Sequence, residues 1–242
     1  MRFRLSLALT VVLYCAPCLR AGEPGCVVAI DIGHSETAQG ATSSRGVGEY
    51  FFNRDLANLL LEKIQQDGVA QAFIINSAGK SLQQRTEAAS QQNASLFLSI
   101  HHDSVQPFYL STWTYEGSER HYSDRFHGYS LFVSQKNPHP KESLQLAQDI
   151  GARLLKAGFT PSLHHAEKIS GENRELLDRK KGIYLFDDLI VLKTAAMPAV
   201  LLECGIIVNR QEETRLTNPA NRSKMVTAVA AGIEQACKQL YK

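Results

Sequence analysis

Short apolar runs that alternate with helically spaced apolar residues constrain this chain more than any other feature in it. Val27-Val-Ala-Ile-Asp-Ile32 is nearly continuous in apolar character, as expected of a strand buried on both faces of a parallel sheet. Phe52, Leu56, Leu59, Leu60 and Ile64 then recur at helical spacing, and Gly68 is placed to close that helix. Ala72-Phe-Ile-Ile75 reads as the next strand, Ser81 to Asn93 as a polar, Gln-rich helix, and Leu96-Phe-Leu-Ser-Ile100 as a third strand. Tyr129 to Val133 reads as a fourth strand, with a helix marked by Leu144, Ala147, Ile150 and Leu154 behind it. Leu189 to Leu192 and Ala199 to Leu202 read as short late strands, and Met225, Val229, Ile233 and Leu240 mark a terminal helix. Strands separated by helices predict a single α/β domain: a mostly parallel twisted sheet, flanked by helices on both faces, with its active site at the carboxyl ends of the strands.

Residues 105–128 and 160–181 fit neither pattern. The first is rich in aromatics (Phe108, Tyr109, Trp113, Tyr115, Tyr122, Phe126) and directly follows a strand end. A substrate-binding rim and a lid over the site are both compatible with it, as is a surface excursion packed on its own aromatics.

The N-terminus has the order of a secretory signal: basic Met1-Arg-Phe-Arg4, an apolar run from Leu5 to Cys15, then Leu-Arg-Ala21 before Gly22. The expected division is therefore 1–21 signal peptide and 22–242 catalytic domain, exported to the periplasm or cell wall, with no transmembrane segment after removal. The whole chain has 26 Lys+Arg against 24 Asp+Glu, and losing Arg2, Arg4 and Arg20 leaves 23 against 24. That near-neutral balance gives no ground for a nucleic-acid partner. Of the three cysteines beyond the signal, Cys26 and Cys237 are the one pair to consider for a bridge.

Chemistry gathers where strands end. His34 follows the first strand in Ile30-Asp-Ile-Gly-His34, and His101 ends the third in Leu98-Ser-Ile-His101-His102-Asp103. Glu203 ends a late strand in Pro198-Ala-Val-Leu-Leu-Glu203, and Glu49 opens the first helix in Gly46-Val-Gly-Glu49. Two imidazoles and a carboxylate form a three-ligand set that leaves zinc an open position, and a further carboxylate can handle a proton there. Taken singly each residue has a plainer role: a turn histidine, or a glutamate serving the dipole of its own helix. Strand alternation turns His102 away from His101 and Cys204 away from Glu203, so both read as supporting or core residues.

The order Ile-Asp-x-Gly-His, Gly-x-x-Glu, Ser-Ile-His and Pro-Ala-Val-Leu-Leu-Glu-Cys-Gly resembles the zinc N-acetylmuramoyl-L-alanine amidases (the amidase 3 catalytic domain). The resemblance runs from residue 27 to about 237. It implies His34, Glu49 and His101 as ligands of one Zn2+ per chain and Glu203 as the catalytic carboxylate. Arg85, Gly182 and Asn209 match further family positions. Ile32, Ser35 and His102 depart from the usual Pro, Gly and Ala without removing a ligand. The implied reaction cuts the amide between N-acetylmuramic acid and L-alanine in peptidoglycan, in wall remodelling or daughter-cell separation. The implied partners are the glycan strand, its stem peptide and, for a division role, an activator protein, with the enzyme a monomer. Two other readings stay open: a zinc amidase for soluble muropeptides, and a non-catalytic peptidoglycan-binding module of the same fold.

Overall fold

A computed structural model describes residues 25–68, 70–75 and 77–241. The signal-peptide assignment at residues 1–21 lies outside the described residues. The elements in chain order are β1 (Val27–Ile32), α1 (Glu49–Asp67), β2 (Gln71–Ile75), α2 (Leu82–Gln91), β3 (Leu96–Asp103), β4 (Ser111–Tyr115), β5 (Ser118–Tyr122), β6 (Ser130–Val133), α3 (Pro140–Lys156), β7 (Leu176–Asp178), β8 (Ile183–Leu185), α4 (Ile190–Thr194), β9 (Ala199–Ile206), α5 (Arg210–Thr217) and α6 (Pro219–Leu240). Seven strands make one sheet in the order β2-β1-β3-β9-β6-β8-β7. The pairings β1–β2, β1–β3, β3–β9 and β6–β8 are parallel, while β6–β9 and β7–β8 are antiparallel. The sheet is thus mixed: its strands run parallel from the β2 edge through β1 and β3 to β9, and the direction reverses at β6.

Strand parity sorts the core. Val28, Ile30, Leu96, Leu98, Ile100, Val200 and Leu202 point to the face covered by α1, α3 and α6. Ala29, Phe97, Ala199 and Leu201 point to the opposite face, against residues of α2 and α4. Burial on both faces explains why these strands read as continuous apolar runs rather than alternating ones. Cys26, just before β1, is bridged to Cys237 in α6, with a Cα–Cα distance of 5.7 Å. Cys204 is free and buried on the α1/α3/α6 side.

Three expectations are corrected. Leu189 to Leu192 is not a strand: Leu189 caps the short helix α4, where the Lys193 amide donates to the Leu189 carbonyl. A four-residue apolar run carries no periodicity long enough to separate the two states, and burial of Val191 and Leu192 is met by the helix as well as by a strand. Residues 105–128 are not irregular throughout. They contain the antiparallel hairpin β4–β5, closed by Glu116 (φ 49°) and Gly117 (φ 75°), a pair with the two positive φ angles that a tight hairpin turn requires. Within 160–181 lies the strand β7, which edges the sheet against β8. No helix among the described residues is long and apolar enough to cross a membrane.

Candidate active site

The end of β1 continues beyond Ile32 by one sheet-like bond, from the Gly33 amide to the Ile100 carbonyl, and then turns sharply at His34, whose φ is 67°. A histidine in the left-handed region needs outside support. Arg85 supplies it from α2. Its buried guanidinium donates to the Ile32 carbonyl (3.0 Å) and the His34 carbonyl (2.8 Å) and lies 3.4 Å from Asp31, whose other oxygen accepts from Ser99 Oγ at 2.7 Å. The role of Arg85 is to hold this turn in place.

Three predicted residues converge beyond the turn. Glu49, in the first turn of α1, is buried; its Oε2 lies 2.9 Å from His34 Nε2 and its Oε1 lies 3.0 Å from His101 Nδ1. The carboxylate is fixed further by the Ala41 amide (3.2 Å), the His102 amide (3.3 Å) and Asn53 Nδ2 (3.0 Å). Burial alone would raise the Glu49 pKa, but His101 and His34 outweigh it and hold the carboxyl well below the usual range. Close packing of backbone makes room for the rings. A Cβ on Gly33 would lie 2.4 Å from the His101 ring, and one on Gly40 (φ 75°) would lie 2.5 Å from both Glu49 and His34.

The ligand atoms of His34, Glu49 and His101 all lie within 4.8 Å of one another. Two imidazoles with one anionic oxygen form a donor set suited to zinc. The glycine cradle and the shared carboxylate show that the residues present fit such an ion. His102 takes the supporting place expected of it. It is buried, its Nδ1–H donates to Asn53 Oδ1 (2.8 Å), and burial pushes its pKa down to about 3, so the ring is neutral. The same Asn53 holds Glu49 and the Gly33 carbonyl, so His102 braces the cluster through one intermediary.

Glu203 pairs in register with His101 across β3 and β9, so both side chains leave the same face of the sheet. Its Oε2 is buried without a hydrogen-bond partner. Burial, followed by the charges of Asp103 and Glu49, pushes its proton affinity well above that of an ordinary carboxyl. A carboxyl with a free oxygen and a raised pKa beside a His–Glu–His cluster is equipped to accept and return a proton. Asn209, just past β9, caps α5 through the Gln211 and Glu212 amides and ties the Phe126 carbonyl to that turn (2.9 Å).

The aromatic hairpin is anchored rather than free. Trp113 Nε1 donates to the Ser44 carbonyl at 2.9 Å, Trp113 stacks on Tyr115, and the guanidiniums of Arg45 and Arg210 lie over its ring. Arg45 lies over both rings, and Trp113 and Tyr115 remain partly exposed. Between the hairpin and the loop leading to Glu49 runs a groove lined by Ala41, Ser43, Ser104, Arg120 and His121.

One cluster had no forecast from sequence. Asp103, two residues beyond His101, meets His164 and His165 from the 160–181 segment, and His165 also reaches Glu172. The adjacent histidines in an otherwise polar stretch were the visible signal.

The family model described as N-acetylmuramoyl-L-alanine amidase matches residues 28–235. The chain is 27% identical over 231 residues to the uncharacterized protein YqiI of Bacillus subtilis (strain 168), covering 94% of this chain and 92% of that one. It is 28% identical over 220 residues to the N-acetylmuramoyl-L-alanine amidase AmiA of Escherichia coli (strain K12), covering 86% and 74%. The fold matches the crystal structure of the N-acetylmuramyl-L-alanine amidase Ami1 of Mycobacterium smegmatis with a TM-score of 0.68 at 19% identity, covering 89% of this chain and 98% of that one.

Proposed function

The chain belongs to the N-acetylmuramoyl-L-alanine amidase family and is an enzyme of that class; from that membership we propose that it cuts the muramoyl–alanine amide of peptidoglycan with His34, Glu49 and His101 holding zinc and Glu203 carrying the proton. The observation that carries the assignment of roles is the unpaired, buried Oε2 of Glu203, set beside the His–Glu–His cluster by strand register. His34, Glu49 and His101 would hold the zinc, which would supply Lewis acidity for the attacking water and the lactyl carbonyl. Glu203 takes the proton given up by the attacking water and delivers it to the departing alanine nitrogen. Without that transfer the amine leaves poorly. Asn53 and His102 keep the Glu49 carboxylate aimed, and Arg85 keeps His34 in its turned conformation. The groove beside Arg120 and His121 is where a glycan strand or stem peptide approaches, with the anchored hairpin as its wall.

Export and a place at the cell wall are part of the proposal. The Cys26–Cys237 bridge supports an oxidising compartment, and the basic-then-apolar residues 1–21 support a signal. The enzyme is assayed on purified sacculi with and without a chelator, with mass analysis of the products. Release of intact stem peptides carrying a free alanine amine, lost on chelation and restored by zinc, is expected. Chelator-insensitive release, or products cut within the peptide or glycan, would overturn the assignment. Turnover of soluble muropeptides without any attack on sacculi would move the substrate while keeping the chemistry.

A further inference from the structure

We propose that Asp103, His164 and His165 form a second divalent-cation site, with the donor set of a zinc site, separate from the His34–Glu49–His101 cluster. The one ion implied by the family resemblance accounts only for the first cluster. Asp103 Oδ2 lies 2.9 Å from His165 Nε2 and 3.3 Å from His164 Nε2, so two imidazole nitrogens converge on one carboxylate oxygen. The edges of a tetrahedron built on zinc–nitrogen and zinc–oxygen bonds of ordinary length are about 3.3 Å.

The hydrogen bonds around the two rings leave one buried nitrogen unmet. His165 Nδ1 lies 2.8 Å from Glu172 Oε2, and His164 Nδ1 lies 2.8 Å from Ser162 Oγ. A carboxylate only accepts, so in the metal-free protein His165 donates through Nδ1 to Glu172 and through Nε2 to Asp103 (2.9 Å), and a cation would take the place of the Nε2 proton. A proton added to His165 satisfies that nitrogen but not its neighbour. His164 is buried, and its Nε2 makes no hydrogen bond although it is aimed at the same oxygen. One cation bonded to both nitrogens and to Asp103 satisfies all three atoms.

The surroundings have the form that outer partners of a metal site take. Ligating histidines ordinarily give their second N–H to a carboxylate, a carbonyl or a hydroxyl, which fixes both tautomer and ring angle. Glu172 is itself held by Gln106 Nε2 at 2.8 Å. The His164 ring stacks on Phe126, and the His165 ring packs edge-on against Phe132 and Tyr184, so neither is free to turn. The Asp103 side chain keeps 14% of its surface exposed, which leaves an entry for the ion. Bound there, the cation would pin the 162–172 segment to the strand end that carries His101.

The test counts zinc in metal-stripped protein after equilibration with Zn2+ and removal of excess. The wild type is expected to hold two ions per chain, His34→Ala/His101→Ala one, His165→Gln one, and the three substitutions together none. Glu172→Gln should weaken the second ion about 10- to 100-fold while sparing the first. One ion in the wild type and none in His34→Ala/His101→Ala would overturn the second site while leaving the proposed catalytic zinc intact. One ion in the wild type, retained in His34→Ala/His101→Ala but lost in His165→Gln, would keep the second site and remove the catalytic assignment. Two ions in a folded His165→Gln variant would overturn the second site. Nitrogen-15 NMR of wild-type imidazoles needs no variant: Nε2 of His164 and His165 should shift on adding Zn2+, and unmoved signals would reject the site.

Discussion

Replacing Glu203 by alanine separates catalysis from stability more sharply than any other change in this molecule. The substitution removes one methylene, worth about 0.8 kcal/mol of apolar burial, and opens a small void. It also removes a carboxyl whose Oε2 is buried and unpaired, and leaving such a group unsatisfied costs about 1–3 kcal/mol. The gains and losses oppose each other, so the metal-stripped variant should melt within about 4 °C of the parent, equivalent to about 1 kcal/mol in a domain of this size. Catalysis has no such compensation. Loss of a positioned proton carrier costs roughly 10²- to 10⁴-fold, or about 3–5 kcal/mol in the barrier. The zinc content of the first cluster should not change, because Glu203 is not among its converging ligand atoms. The assay follows alanine amine release from sacculi, with metal content and melting temperature measured on the same preparation. Turnover within tenfold of wild type in a folded, zinc-loaded variant would show that another group moves the proton.

Three further outcomes are expected. Cys26→Ser/Cys237→Ser reopens a loop spanning a sequence separation of 211, for which loop entropy sets a ceiling of about 5 kcal/mol; denaturant unfolding should show a loss of about 2–5 kcal/mol, and an unchanged midpoint would refute the estimate. In metal-stripped protein, burial opposes protonation of His165, but Asp103 and Glu172 outweigh it and carry the pKa up to about 9. This raised pKa adds stability that is complete below the unfolded value near 6.5 and disappears as pH rises through 9, so melting temperature should fall across that window, with the slope flattened in His165→Gln. Shortening the β4–β5 hairpin should raise KM for sacculi at constant zinc content if the hairpin walls the substrate groove, whereas a higher basal rate would identify it as a lid.

What could be read in advance follows from the range of each interaction. β1, β3 and β9 announced themselves because strands buried on both faces must be apolar throughout; His34 follows β1 as expected, whereas β3 and β9 run on past His101 and Glu203 to Asp103 and Ile206, because polar ends do not stop a ladder from continuing. Glu49 was legible only through its motif, since a glutamate opening a helix is ordinary. The hairpin kept its signal in Trp113, Tyr115, Arg120 and Tyr122, spaced by two, but its Glu116-Gly117 turn lacks the Asn or Asp that usually marks one. Leu189 to Leu192 was too short for its period to speak. The Asp103–His164–His165–Glu172 cluster joins a strand end to a segment about 60 residues away, and no local pattern encodes such a meeting. The bridge between Cys26 and Cys237 was the one pairing worth considering, yet only the geometry could close it.

The Cys26–Cys237 bridge also bears on proteolysis. It joins the residue just before the first strand to the last helix, so nearly the whole described chain forms a covalent ring. A single cut in any surface connection between the two cysteines, including the 134–139 turn or the 160–181 segment, opens the ring but releases no fragment. The nicked molecule keeps both pieces tethered, and β1, β3 and β9, adjacent in the intact sheet, should stay paired. Two cuts are needed before any part of the domain can diffuse away. The proposed export would thus meet a molecule that outlasts its first proteolytic injury, and reducing agents would reveal that injury only afterwards, as two bands where one had run.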